Sequence, residues 1–250
     1  MSAGFDRVPD SVAADLLLAA RGTDYFSRRL DGLTDAEYEA PSLLPGWDRR
    51  HVIAHVGYNA RALTRLVRWA HSGAEIPMYA STQARDAEID AGATMPPDAL
   101  RSLHHRELDN LTTAWRDLPA DRWDFPVRTA QGRTVPVSVT PWMRVREVWL
   151  HAVDLDNGGR FEDFPPELVD RLLVDITSWW ARSGDGTDLV LRPTDRAGPW
   201  PIVTGSSMMG GPGAVTITGT AAQLARWASG RGTGGVVTGT GRPVSPPRWL

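Results

Sequence analysis

The chain has no cysteine. Disulfides, thiolate metal ligands and a cysteine nucleophile are therefore excluded, and any thiol chemistry must use a thiol brought in from outside. There is no excess of positive charge either. Lysine and arginine total 27 against 30 aspartate and glutamate, a net charge of −3. Nothing in that balance attracts nucleic acid or an anionic membrane. No apolar run approaches the roughly 18 residues of a membrane span. Met1–Arg7 lacks a basic segment followed by an apolar one, so no secretory signal is expected and the cytoplasm is the default location. A Gly-x-Ser-x-Gly elbow is missing, and the glycines at Gly210–Gly213 lack a phosphate-loop lysine. The glycines from Gly230 to Gly235 follow a helical pattern instead of opening one, which is wrong for a dinucleotide fingerprint. There is no internal repeat and no low-complexity tract.

What remains is a globular chain of 250 residues, 23% of them charged, long enough for a larger domain with a smaller one attached. Its 11 tryptophans are read mainly as large core side chains, including Trp142 and Trp149 close to the candidate site and Trp47 beside it.

The informative stretch is Arg144–Asp154. It reads as helix, and within it Glu147 and His151 are four residues apart. They project from nearly the same side, about 6 Å apart along the axis. Val148, Trp149, Leu150, Ala152 and Val153 surround them, so a carboxylate here needs a partner. A second helix supplies His51 and His55. His55 lies with Val52 and Val56 on the apolar seam, whereas His51 sits a turn nearer the helix mouth and ranks below it. His55, Glu147 and His151 form the expected ligand set. Two imidazoles and one carboxylate leave positions open, as in catalytic zinc sites, and also suit ferrous iron or nickel. His71, His104 and His105 are assigned to the surface. Arg231, between two glycines, has room to clamp a carboxylate; as a residue in a helix-capping loop it is equally well read as solvated.

In chain order, a helix is expected from Pro9–Asp10 to about Leu30. A short helix follows, with capping-box spacing at Thr34 and Glu37. Asp48 caps a helix reaching about Ala70. Residues 77–97 read as a connection with one helical turn at 86–89. A third long helix begins at Pro97. Val127–Thr129 and Thr134–Val137 form a β-hairpin, with Pro136 confining its strand to an edge. Thr140 and Pro141 cap and open the fourth long helix. Beyond Asn157–Gly159 come a helix from Pro165–Pro166 to Trp180, strands at Leu189–Leu191 and Ala214–Thr218, and a helix at Ala221–Ser229. The expected class is α+β. A metal-binding bundle of four long helices with an inserted hairpin occupies residues 1–158, and a small α+β domain contributing to the active-site pocket occupies residues 159–250.

The chain resembles the mycothiol-dependent maleylpyruvate isomerases of actinobacteria, whose amino-terminal part is a DinB-like four-helix bundle. The resemblance runs nearly end to end. It is carried by Leu44–Trp47, His51–Val56, Pro77–Tyr79, Thr129–Pro136, Arg146–Leu155, Gly230–Gly232 and Pro246–Leu250. It implies zinc on His55, Glu147 and His151, a catalytic role for His55 and Arg231, and substrate or cofactor contacts from Arg231 and Arg85. The partners implied are mycothiol and a small-molecule substrate, with no nucleic acid and no membrane; the oligomeric state is left open, a monomer being one option. The reaction implied is conversion of maleylpyruvate to fumarylpyruvate in the gentisate route. Two rival readings keep the same bundle: a mycothiol S-transferase acting on another electrophile, and a non-catalytic metal-binding, stress-associated protein.

Overall fold

Asp48 starts the helix on which the site is built. Its carboxylate accepts the His51 backbone N–H at 3.0 Å, a donor that has no partner inside the helix. From there α2 (Arg49–Ser72) runs to Gly73, whose positive φ of 76° closes the helix. The computed structural model describes residues 8–186, 188–196, 202–203, 214–239 and 241–249. The expectations for Met1–Arg7 and Gly210–Gly213 lie outside the described residues. The chain divides into two compact units, residues 1–159 and 160–250, and the fold is α+β.

In the first unit α2 is joined by α1 (Asp10–Asp31), α3 (Thr82–Ala93), α4 (Pro97–Asp117) and α5 (Thr140–Asp154). Helix α2 packs against α4, α1 packs against α5, and α2 also crosses α5. That crossing brings the candidate ligands together. The α1–α5 contact is fixed by Trp149, buried, stacked on Tyr25 at 5.1 Å between ring centroids, with its indole N–H donating to the Leu18 carbonyl at 3.0 Å. Trp142 is buried as well, so both of these tryptophans are core residues.

The end of α5 is held in place by several contacts. Buried Arg49 donates to the carbonyls of Leu155, Asp156 and Glu37, and the Asp154 carbonyl accepts the Leu43 N–H at 3.0 Å. At Gly159 the chain passes so near α5 that an added Cβ would lie 2.3 Å from the Ala152 carbonyl oxygen. Only glycine fits that approach.

The hairpin pairs β1 (Pro126–Arg128) with β2 (Thr134–Pro136) antiparallel, Val127 opposite Val135. The short helix after Thr34 is a 3-10 turn at Asp35–Glu39, with Glu37 returning hydrogen bonds to the Thr34 backbone N–H and hydroxyl.

Three expectations need correction. The connection at 77–97 contains a full helix, α3, capped by Ser81. Only Ile89, Gly92 and Ala93 of it are buried, too sparse a stripe to show as a period. Thr140 does not cap α5; it lies inside the helix, its hydroxyl donating to the Val137 carbonyl and accepting from the Trp115 indole. His104, expected on the surface, is fully buried, while His71 and His105 are exposed.

In the second unit, the described strands form a four-stranded sheet ordered β4 (Ile202–Val203), β3 (Leu189–Pro193), β5 (Val215–Gly219), β6 (Val237–Thr238). The central pair is parallel, with Leu191 opposite Ile217, and both outer pairs are antiparallel. Helices α6 (Pro166–Ser183) and α7 (Ala221–Ala228) meet through Trp180 and Trp227, edge to face at 6.1 Å. Thr220 and Gln223 cap α7 reciprocally. The two-residue strands β4 and β6 were too short to read from sequence.

His104 carries a cost that pH exposes. Its Nε2 lies 2.9 Å from the Ser27 hydroxyl and its Nδ1 has no protein partner among the described residues. Burial, then Arg144 and His105, push its pKa down from 6.5 to about 3. The unfolded chain therefore binds a proton there that the folded protein refuses between those values, and stability falls as pH drops from about 6.5 toward 3. Denaturant titrations of wild type and His104→Gln should diverge in that window. The wild type is expected to lose a few kcal/mol more on acidification than the variant; parallel acid limbs would contradict this assignment.

Candidate metal centre

Helix α2 contributes His55 and α5 contributes Glu147 and His151. The Nε2 atoms of the two histidines converge on one carboxylate oxygen, Glu147 Oε2, at 2.8 Å from His55 and 3.2 Å from His151. The rings meet edge to face at 4.8 Å. The three potential ligand atoms lie within 4.8 Å of one another. Four tetrahedral ligands on 2.0–2.2 Å bonds stand roughly 3.4 Å apart. The two histidine–carboxylate spacings lie just under that value and the full spread of 4.8 Å just over it, so side-chain adjustments of about 1 Å admit an ion and the residues fit a divalent metal. His55 and His151 are the more covered, at 7% and 12% side-chain exposure, and Glu147 is the most exposed of the three at 26%.

Two of the three groups carry the charge a metal ligand needs, and the third is pulled the other way. Burial pushes the His55 pKa down, against the pull of Glu147, and keeps that ring neutral and able to donate a lone pair. Burial would raise Glu147, but His55 and His151 outweigh it and hold its pKa well below the usual carboxylate range. Burial also works against charge on His151; there the hydrogen bonds to Asp154 and Glu147 prevail and raise its pKa.

The surroundings add Asp154 and Arg144, which sequence reasoning gave no role, beside Tyr79 and Trp47. Asp154, fully buried, lies with Oδ2 2.8 Å from His151 Nδ1. Its three-residue offset from His151 is visible in the sequence and is the signal that could have found it. Arg144, also buried, donates from one terminal nitrogen to the Val56 carbonyl at 2.7 Å and to Asn59 at 3.1 Å, tying α5 to α2 directly beneath the cluster. Burial pulls its pKa down to about 10. Burial, reinforced by Glu147, pushes the Tyr79 phenol up to about 12, and its hydroxyl hydrogen-bonds Arg85. Trp47 lies against both His51 and His55, at ring distances of 6.1 and 5.5 Å.

Of the residues singled out from sequence, His55, Glu147 and His151 come together. Arg85 reaches the same cluster, its guanidinium 3.4 Å from His55 Nδ1. His51 does not join; its Nδ1 is engaged by Asp48 at 2.6 Å. Arg231 belongs to the second unit, in the loop that ends α7. It donates to the Ser229 carbonyl at 2.9 Å, and the flanking Gly230 and Gly232 take φ of 78° and 126°.

Residues 19–156 match the mycothiol maleylpyruvate isomerase N-terminal domain, and residues 163–248 match the MDMPI C-terminal domain. The chain belongs to the mycothiol maleylpyruvate isomerase family. A crystal structure of the mycothiol-dependent maleylpyruvate isomerase is 44% identical to it, with a TM-score of 0.89 over 99% of this chain and 100% of that one. A histidine-to-alanine variant of that enzyme gives 0.88 at the same identity and coverage. No curated protein matches the chain. Among the described residues, no helix is long and apolar enough to cross a membrane.

In metal-binding members of such families, the group behind a ligating histidine sets how well that histidine binds. If the cluster holds a divalent metal, Asp154→Asn is expected to weaken its binding roughly 10–100-fold, measured by competition with a chromophoric chelator, while the helical circular dichroism is retained. Unchanged affinity would remove Asp154 from the centre.

Proposed function

We propose that the chain catalyses the mycothiol-dependent cis–trans isomerisation of maleylpyruvate to fumarylpyruvate, with zinc held by His55, Glu147 and His151. The carrying observation is the convergence of two imidazole nitrogens on Glu147 in a cysteine-free member of this family. Rotation about an alkene conjugated to a carbonyl requires temporary loss of its double-bond character, which addition of a nucleophile provides. Mycothiol supplies the sulfur that the chain lacks, and zinc the charge that keeps that sulfur ionised.

The protein's own residues supply the rest. His55 and His151 would offer nitrogen donors, His151 after the ion displaces the proton that its carboxylate neighbours favour, and Glu147 brings a single negative charge, so the centre would keep net positive charge for an anionic sulfur. Asp154 orients His151 through Nδ1. Trp47 covers one side of His55 and limits access of water there. Arg231 is assigned to the substrate, where its planar fork suits a carboxylate or the negative charge that develops on the conjugated carbonyl. Arg85 is assigned to the same anionic ligand. A cytoplasmic, reducing location and a place in the gentisate route fit a reaction that needs its cofactor as a free thiol.

The test is an assay of purified protein with maleylpyruvate, with and without mycothiol, before and after chelation. Fumarylpyruvate should form only when thiol and metal are both present. His55→Ala should abolish nearly all activity, and Arg231→Ala should lower kcat/KM roughly 100-fold or more with the fold intact. Equal rates with and without metal would be fatal to this mechanism. A thiol conjugate accumulating without fumarylpyruvate would point to an S-transferase instead.

A further inference from the structure

The two histidines share one carboxylate but have opposite neighbours behind them. His151 Nδ1 faces an acceptor, Asp154 Oδ2, at 2.8 Å. His55 Nδ1 faces a terminal guanidinium nitrogen of Arg85 at 3.4 Å, a group with donors and no acceptor. A metal-ligating histidine ordinarily gives its second N–H to an acceptor, which leaves the other nitrogen's lone pair for the ion. Asp154 does this for His151. Arg85 does the reverse for His55. Arg85 can only donate, so it favours Nδ1 as an acceptor and hence the neutral tautomer with its proton on Nε2, 2.8 Å from Glu147. For His55 to offer Nε2 to an ion, that proton must leave Nε2 and the neutral ring must carry its proton on Nδ1. The new N–H would then point at a donor, and the contact cannot survive.

On the metal reading given above, we propose that Arg85 and the metal ion compete for His55, so that filling the centre releases the Arg85 guanidinium for an anionic ligand.

Arg85 is placed to make that exchange. It belongs to the first turn of α3, the helix that packs on α2 through Ile89, Gly92 and Ala93, while Arg85 itself lies outside that buried stripe. Its side chain is 29% exposed, and its other terminal nitrogen pairs with Asp86, an exposed residue. The Tyr79 hydroxyl also bonds the guanidinium, so Arg85 keeps polar partners when it leaves His55. A planar fork freed beside the cluster suits a carboxylate, which it can bind bidentately. The coupling is reciprocal: an anion that draws Arg85 away tightens metal binding by the factor by which metal tightens anion binding. Asp154 and Arg85 thus give the centre one histidine committed to the metal and one whose availability depends on an anion.

The experiment measures zinc affinity by chelator competition for the full chain, comparing wild type with Arg85→Met and Arg85→Lys, alongside nitrogen-15 NMR of the metal-free imidazoles. Arg85→Met should bind zinc about tenfold more tightly and move the His55 proton from Nε2 toward Nδ1. Arg85→Lys, which still presents a donor, should stay near wild type in both. Equal or weaker zinc binding in Arg85→Met would overturn the proposal, as would tighter binding with the proton still on Nε2, which would indicate simple charge repulsion. A wild-type protein that took up no zinc would overturn the metal reading itself, a result separable from failure of the Arg85 variants alone.

Discussion

The first unit depends on one carboxylate. Glu147 sits where α2 crosses α5, and without His55 and His151 on its Oε2 it would be a half-covered negative charge between two helices. Such a charge is costly unless paired. The surrounding structure fixes the crossing from several sides. Arg144 ties α5 to two groups on α2, Trp149 locks α5 to α1, and Arg49 binds the carbonyls beyond the end of α5. Each of these leaves the three side chains less freedom to drift, which is what a preorganised metal site requires.

The clustering of His55, Glu147 and His151 was legible because these residues break the local pattern in a telling way. Glu147 and His151 are polar at helical spacing inside an apolar run, and His55 is polar on an apolar seam. Most of the fold was legible for related reasons: proline and aspartate at helix starts, glycine at helix ends, and periodic leucines between them. The parts that escaped share a different property. Helix α3 buries only three small or isolated residues, so its sequence looks like a loop, and Arg85 was reached through family resemblance instead of pattern. Arg144 and His104 are polar residues whose burial depends on neighbours far along the chain. A charged or polar letter in a helix reads as surface unless its long-range partners are known, and local spacing carries no such information. Asp154 had the right spacing but also sat where a helix was ending.

The absence of cysteine links the site to its chemistry. An open centre with two nitrogens and one oxygen can activate water or a thiol, and a chain with no sulfur nucleophile of its own has to borrow one. Family membership then points to mycothiol as that thiol. The asymmetry behind the two histidines adds a feature that the ligand set alone does not suggest. One imidazole is backed by a buried carboxylate and the other by a half-exposed cation. The proposed coupling of metal uptake to anion binding runs through residues of the bundle itself.

The central claim is that this centre holds a metal which in turn engages a thiol. X-ray absorption at the zinc edge, on protein loaded with one equivalent of zinc, tests it directly. The account predicts a shell of nitrogen and oxygen ligands at about 2.0–2.2 Å, and on addition of mycothiol one new sulfur scatterer at about 2.3 Å. A spectrum unchanged by mycothiol, with no sulfur in the metal's shell, would contradict it.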